Sequence, residues 1–312
     1  MQIKTRFLIF WIALCLIGPG GMLWSAETRP VSKKNVRASL ITDRQAISPG
    51  DTFWLGVRYQ MEPHWHIYWK NYGNTGIPTE IEWDLPEGFS VEALQWPTPS
   101  TFLMSSLMSY VYEDEVILMA QVKAPEDLSP GQSITLGAET WWLVCDDETC
   151  IPGDASFSLS LPVEENARED PAAKERLESQ QKQWPRESDQ WNVQGEHRDG
   201  RITLLIEPLQ DDLPALQDLY FFSENSAIDP DADQPVDTFE DGSYRLILEV
   251  SDSFTETLAP LPGVLKSASG WENDRYFQGL KVAPLQKTSP GEPPLAGEAP
   301  TNNSEGVTSA TS

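Results

Sequence analysis

SITLGAETWWLVCDDETCIPGDASFSLSLPV, residues 133–163, holds two strand-like runs, Ser133 to Val144 and Ala155 to Leu161, on either side of Cys145 and Cys150. β-Branched and aromatic residues dominate both runs, as expected of short strands. Four residues separate the cysteines, a gap that a bend closes to disulfide range. Asp146, Asp147 and Glu148 place three carboxylates between the sulfurs. Nearby negative charge disfavours a thiolate, so this pair is better suited to being attacked by an incoming thiolate than to attacking. Pro152 and Gly153 read as a turned backbone just after Cys150. A structural staple and an exchanging redox pair both fit the spacing.

Working outward, Val36 to Val163 repeats the same grammar of short strands and Pro/Gly punctuation. Candidate strands are Arg37 to Thr42, Thr52 to Tyr59, Thr79 to Asp84 and Val116 to Val122. Ser48-Pro49-Gly50-Asp51, Pro86-Glu87-Gly88 and Ser129-Pro130-Gly131 supply turns between them. Strands at this spacing suit an immunoglobulin-like β-sandwich. Thr101 to Ser109, TFLMSSLMS, is apolar without strand alternation and reads as a loop. Its Phe102, Leu103, Met104 and Met108 either pack in the core or shield the cysteines. His64 and His66 would share one face if a strand ran through them. Two imidazoles without a third ligand nearby fall short of a metal centre, so packing by Trp65, Tyr68 and Trp69 is the better reading. His197 falls in a polar turn beside Arg198-Asp199-Gly200.

The segment 164–188 is charged and Gln-rich. Pro171-Ala172-Ala173 opens a helix there and Trp184-Pro185 closes it, giving a hinge or a docking helix. A second β-rich unit follows over 189–286, with strands near Arg201 to Glu207, Asp218 to Phe222, Tyr244 to Val250 and Arg275 to Val282. The inward members of Tyr220-Phe221-Phe222 should anchor its core. Residues 287–312 have almost nothing to bury and are expected to be disordered.

At the other end, Lys4 and Arg6 precede an apolar run from Phe7 to Ile17, then Gly18-Pro19-Gly20-Gly21 and Ser25-Ala26. This is the pattern of a signal peptide over 1–26, and the run is shorter than the about 20 residues a spanning helix needs. Counting Met22 to Trp24 extends it toward a retained anchor, so cleavage and retention both stay open. Export discards Cys15 and leaves two cysteines, as an oxidising compartment permits. A net charge of −26 argues against nucleic acid as a partner.

Taken in order, WHIYWKNYGNTGIPTEIEWDLPEGF, LQWPTPS, YVYEDEVIL and WWLVCDDETCIPGDASFSLSLPV resemble the N-terminal periplasmic region of the DsbD/ScsB family of thiol:disulfide interchange proteins. The resemblance extends through FFSENSAIDP, to about residue 285. It implies an all-β protein: an immunoglobulin-like redox domain at 27–163, a helical linker at 164–188 and a smaller β-rich domain at 189–286. It also implies that Cys145 and Cys150 are the redox pair and that the 101–109 segment caps them. Members of the family continue into a multi-helix membrane module, so the expected electron donor is a separate membrane protein of DsbD type. The expected partners are periplasmic thiol-disulfide proteins, and no cofactor is expected. The rival reading is a β-sandwich binding or scaffold protein with an inert disulfide. A weaker third reading is a metal chaperone using His64 and His66 with the thiols.

Overall fold

The computed structural model describes residues 25–254, 260–284 and the backbone of 286–288. Apart from those edges, the expected signal segment and tail lie outside the described residues. The architecture is all-β with a single helix among the described residues, in two β-rich units.

In the first unit two antiparallel sheets face each other. The five-stranded sheet runs, edge to edge, Val31–Lys33, Val36–Thr42, Thr52–Met61, Glu115–Lys123 and Ser90–Val91. The opposing sheet runs Cys150–Pro162, Ser133–Cys145, His66–Gly73, Leu107–Glu113 and Ser100–Met104, with Glu80–Asp84 also paired to Ser133–Cys145. Period-two alternation decides which side chains lie between the sheets. Along Ser133–Cys145, Ile134, Leu136, Ala138, Thr140, Trp142 and Val144 point inward and are buried. They meet Leu40, Leu55, Val57, Tyr59 and Leu118 of the other sheet in one core. Tyr59 Oη and Thr140 Oγ1 share a buried hydrogen bond across the sheets, so neither hydroxyl is left unpaired.

The expected strands are present, and Ala155 to Leu161 is the inner part of a longer strand, Cys150–Pro162. Pro152 and Gly153 are therefore not a turn. Pro152 sits on an edge strand, where its missing N–H breaks no ladder. Gly153 lies under the Trp142 indole, and a Cβ there would come within 2.5 Å of it. The 101–109 segment is not a loop either, but a hairpin of Ser100–Met104 and Leu107–Glu113 turning at Ser105, whose φ is 60°.

The helix Pro171–Gln181 begins where Pro171-Ala172-Ala173 placed it. Asp170 caps it by accepting the Ala173 N–H at 2.9 Å. Ala173 and Leu177 pack with Ile41, Ile117 and Met119 on the outer face of the five-stranded sheet, beside Trp54 and Trp184. Gln180 accepts the Ile117 N–H at 2.8 Å. Between hinge and docking helix, these contacts are those of docking.

The second unit packs a five-stranded sheet (Val236–Thr238, Tyr244–Glu249, Arg201–Pro208, Trp191–Arg198, Gln286–Thr288) with a three-stranded one (Tyr220–Ser223, Gly263–Lys266, Gly279–Val282). Arg275 to Phe277 belongs to a knot of turns after Trp271 rather than to a strand, with Glu272 and Asn273 at positive φ. His197 lies on Trp191–Arg198, half-buried, and the turn starts only at Asp199. The aromatic run divides by alternation. Phe221 enters the second core, whereas Tyr220 and Phe222 face the first unit. Phe222 lies 4.9 Å from Tyr110 and 6.2 Å from Trp69, centroid to centroid, both edge-on.

Candidate functional site

Cys145 ends one strand of the 133–162 hairpin, and Cys150 begins the other as its directly opposed partner. Their Cα atoms are 4.1 Å apart and the sulfurs are joined. Between them Asp146 to Thr149 form the tip. The Asp146 N–H donates to the Thr149 carbonyl, while the Asp146 carboxylate accepts the N–H groups of Glu148 and Thr149 at 2.9 and 2.7 Å. Those backbone donors hold the Asp146 carboxyl below its ordinary range. One of the three expected carboxylates is thus a turn-former as well as a charge.

Alternation places the disulfide on an unexpected side. Inward positions of Ser133–Cys145 are even-numbered, so Cys145 points to the outer face of its sheet, away from the sandwich core. Cys145 is nevertheless fully buried, because a small separate apolar cluster forms over it from Tyr68, Val111, Leu143 and Phe102. Phe102 comes from the 100–113 hairpin, which therefore does cap the cysteine. Leu103 on the same hairpin is 60% exposed, and Met108 packs toward the main core. Of the four apolar residues singled out, Phe102 covers the sulfur. Cys150, at the start of the edge strand, is exposed.

Two neighbours of the sulfurs escaped the sequence reading. The sequence places Tyr68 in core packing, but its Oη donates to Cys145 Sγ at 3.0 Å and lies 4.0 Å from Cys150 Sγ. Burial pushes the phenol up to about 12, so it stays protonated and remains a donor. Gly76 makes room for this ring: its φ is 127°, and a Cβ would stand 2.2 Å from Tyr68 Cε1.

His66 is the direct cross-strand partner of Cys145, with Glu113 opposite on its other side. The imidazole is 1% exposed, packed 4.2 Å from Phe102 and 5.3 Å from Tyr68 between ring centroids, and its Nδ1 has no hydrogen-bond partner. His64 is not on the same strand. It sits exposed in the preceding turn with φ 73°, so the shared-face premise for the two histidines fails. Among the described residues no group of three or more His, Cys, Asp or Glu is arranged to hold a metal ion. The alternation His66-x-Tyr68 was the available signal, but its value depends on knowing that this strand lies beside Cys145.

The first unit is a β-sandwich that presents one sulfur of a disulfide to solvent and buries the other under a hydroxyl donor. Residues 37–162 match the family model described as thiol:disulfide interchange protein DsbD, N-terminal. That match spans the first unit, so residues 37–162 form a domain of the DsbD N-terminal type. No curated protein matches the chain. Among solved structures, the N-terminal periplasmic domain of ScsB from Proteus mirabilis is similar with a TM-score of 0.58 at 16% identity, covering 84% of this chain and 99% of that one. This likeness establishes the fold across both units. The GAE domain of GGA2p from Saccharomyces cerevisiae (TM-score 0.26, 12% identity, 43% of this chain, 97% of that one) carries no argument. Nor does the reduced Neisseria meningitidis DsbD N-terminal domain (TM-score 0.21, 16% identity, 39% and 86%). No described helix is long and apolar enough to cross a membrane.

Proposed function

We propose that this chain is a periplasmic thiol–disulfide interchange module whose first domain, 27–163, relays electrons through Cys145 and Cys150 to or from partner proteins. The observation that carries this is the inequality of the two sulfurs. Cys150 is exposed at the hairpin tip, whereas Cys145 is buried with Tyr68 Oη 3.0 Å from its sulfur. A partner thiolate attacks Cys150 Sγ and forms the mixed disulfide there. The old S–S bond breaks and leaves its electron pair on Cys145 Sγ, where the Tyr68 hydroxyl is already aimed. A second thiolate of the partner then attacks the partner's own sulfur in the mixed disulfide and frees Cys150, leaving the pair reduced and the partner oxidised; in the opposite direction the Cys150 thiolate opens a partner disulfide, and Cys145 attacks Cys150 Sγ and expels the reduced partner.

An inert staple is less well supported. The two strands are already joined along their whole length, and closing so short a loop constrains the unfolded chain little. Electrons come from a membrane module of DsbD type, and partners are exported proteins with reactive dithiols. No cofactor is required.

The reduction potential in glutathione buffers tests the proposal. A value well below about −300 mV would place the pair with inert bridges and end it. Single variants test the assignment of roles. Cys145→Ser leaves an exposed Cys150 that should accumulate a glutathione adduct, measured by mass, while Cys150→Ser leaves a buried Cys145 that should not. The reverse pattern would overturn the assignment.

A further inference from the structure

Within the exchange reading, on which this inference rests, the electron pair arriving on Cys145 creates a charge with almost no exposure. A buried thiolate is unfavourable unless it is hydrogen-bonded, paired or protonated. Tyr68 supplies a hydrogen bond but keeps its proton, since burial holds the phenol near 12. Asp146 is spent on the turn and is held ionised by the Glu148 and Thr149 N–H groups. Phe102, Leu143 and Val111, which complete the apolar cluster on Cys145, carry no proton to give.

His66 remains. Directly opposed residues on adjacent antiparallel strands project to the same face, with Cβ atoms about 5 Å apart. The row Cys150, Cys145, His66, Glu113 therefore runs across the outer face of one sheet. A buried polar atom without a partner is uncommon and calls for an explanation, and Nδ1 of His66 is one. Among the described residues, no group hydrogen-bonds to that nitrogen while the disulfide is closed.

We propose that His66 is the proton exchanger for Cys145, idle in the disulfide form and engaged when the bond opens. On reduction, a partner thiolate forms an S–S bond to Cys150 Sγ and the Cys145–Cys150 bond breaks. The proton that the partner thiol gave up to solvent is taken up at the Cys145–His66 pair. A second partner thiolate then attacks the partner's own sulfur and frees Cys150, which completes the reduction; in the opposite direction, once the Cys150 thiolate has opened a partner disulfide, the Cys145 thiol passes its proton to His66, and the resulting thiolate attacks Cys150 Sγ, re-forms the disulfide and expels the reduced partner. The charged groups facing His66 are Asp146 and Asp147 from the tip and Glu113 from the neighbouring strand, with Tyr68 from its own strand. Burial keeps the imidazole neutral in the disulfide form, down at about 4 against the ordinary 6.5, although Asp147 and Asp146 pull the other way. A thiolate alongside adds an opposite charge at close range and raises the proton affinity of the ring.

The test uses the whole chain and small-molecule probes. In His66→Phe, which keeps a ring against Phe102 and Tyr68, the mixed disulfide that Cys150 of the reduced protein forms with a small aromatic disulfide should be resolved by Cys145, with release of the second aromatic thiolate, at least about tenfold more slowly at pH 6–7. The deficit should shrink as pH rises past the thiol pKa, where no base is needed. Equal slowing at every pH, or none, overturns the proposal. His66→Gln carries the same test if the Phe variant does not fold. Independently, the His66 imidazole in the unaltered chain, followed by NMR titration, should have its pKa raised by at least about one unit on reduction, and no rise overturns the proposal. If the unaltered chain exchanges with no thiol or disulfide at all, the exchange function has failed. If it exchanges and the variants match it, His66 alone has failed.

Discussion

The two β-rich units bury aromatic side chains to different ends. The first closes its two sheets over a continuous core and then builds a second, small cluster outside it, over Cys145. The second unit uses one sheet as a wall with two inhabited sides: Phe221, Leu265 and Leu280 face its own core, while Phe222 and Val264 face the core of the first unit. Polar contacts follow the same line. Lys266 donates to the Pro99 carbonyl and the Ser100 hydroxyl where the capping hairpin starts. Asp231 accepts from the Met108 N–H and from Asn74 near its turn. The second unit thus completes the wall of the first and grips both strands of the cap that covers its buried sulfur.

The largest expected effect separates the two sides of that wall. Phe222→Ala and Phe221→Ala should each cost about 3–5 kcal/mol. Phe222→Ala should weaken both units together, whereas Phe221→Ala should unfold the second unit at lower urea than the first. Tryptophan fluorescence and limited proteolysis across a urea series check this, and identical curves for the two variants would remove the distinction. Next in size, Asp231→Ala should loosen the cap by about 1 kcal/mol and so speed reduction of the disulfide by dithiothreitol about fivefold. Asp237→Ala, which loses only an exposed pairing with Arg245, should leave that rate unchanged. The smallest effect concerns acid. Folding depresses the His66 pKa to about 4, so between pH 6.5 and 4 the unfolded chain binds a proton that the folded one refuses. This contribution is therefore present above 6.5 and is lost as pH falls toward 4. With the disulfide kept oxidised, the melting temperature of the unaltered chain should fall, relative to that of His66→Phe, by about 2–4 °C from pH 7 to 5.

Much of this was written in local sequence. Strands flanked by Pro/Gly turns, the Pro-initiated helix and the paired cysteines follow from composition and spacing. What escaped did so for definable reasons. The hairpin 100–113 does alternate in burial, half-buried Phe102 and Met104 against exposed Thr101 and Leu103, but Leu103 is apolar and hides the pattern. The strand His66–Gly73 was obscured by Lys70, Asn71 and the irregular register between Tyr68 and Gly73. The roles of Tyr68 and His66 arise from which strand lies beside Cys145, a contact across more than 70 residues that no local pattern encodes. The division of Tyr220-Phe221-Phe222 between two cores was half legible: alternation requires opposite faces, but a sequence does not say that both faces are covered.

The opposed placement of Cys145 and Cys150 bears finally on timing. Each strand of their hairpin is 13 residues long and bonded to the other throughout, so opening the S–S bond leaves the backbone no reason to part. The freed sulfur stays at a very high effective concentration beside any mixed disulfide on Cys150. Under the proposed exchange, a partner caught there is on a short lease: its dwell time is set by how quickly Cys145 loses its proton, not by how long the chain takes to find itself again.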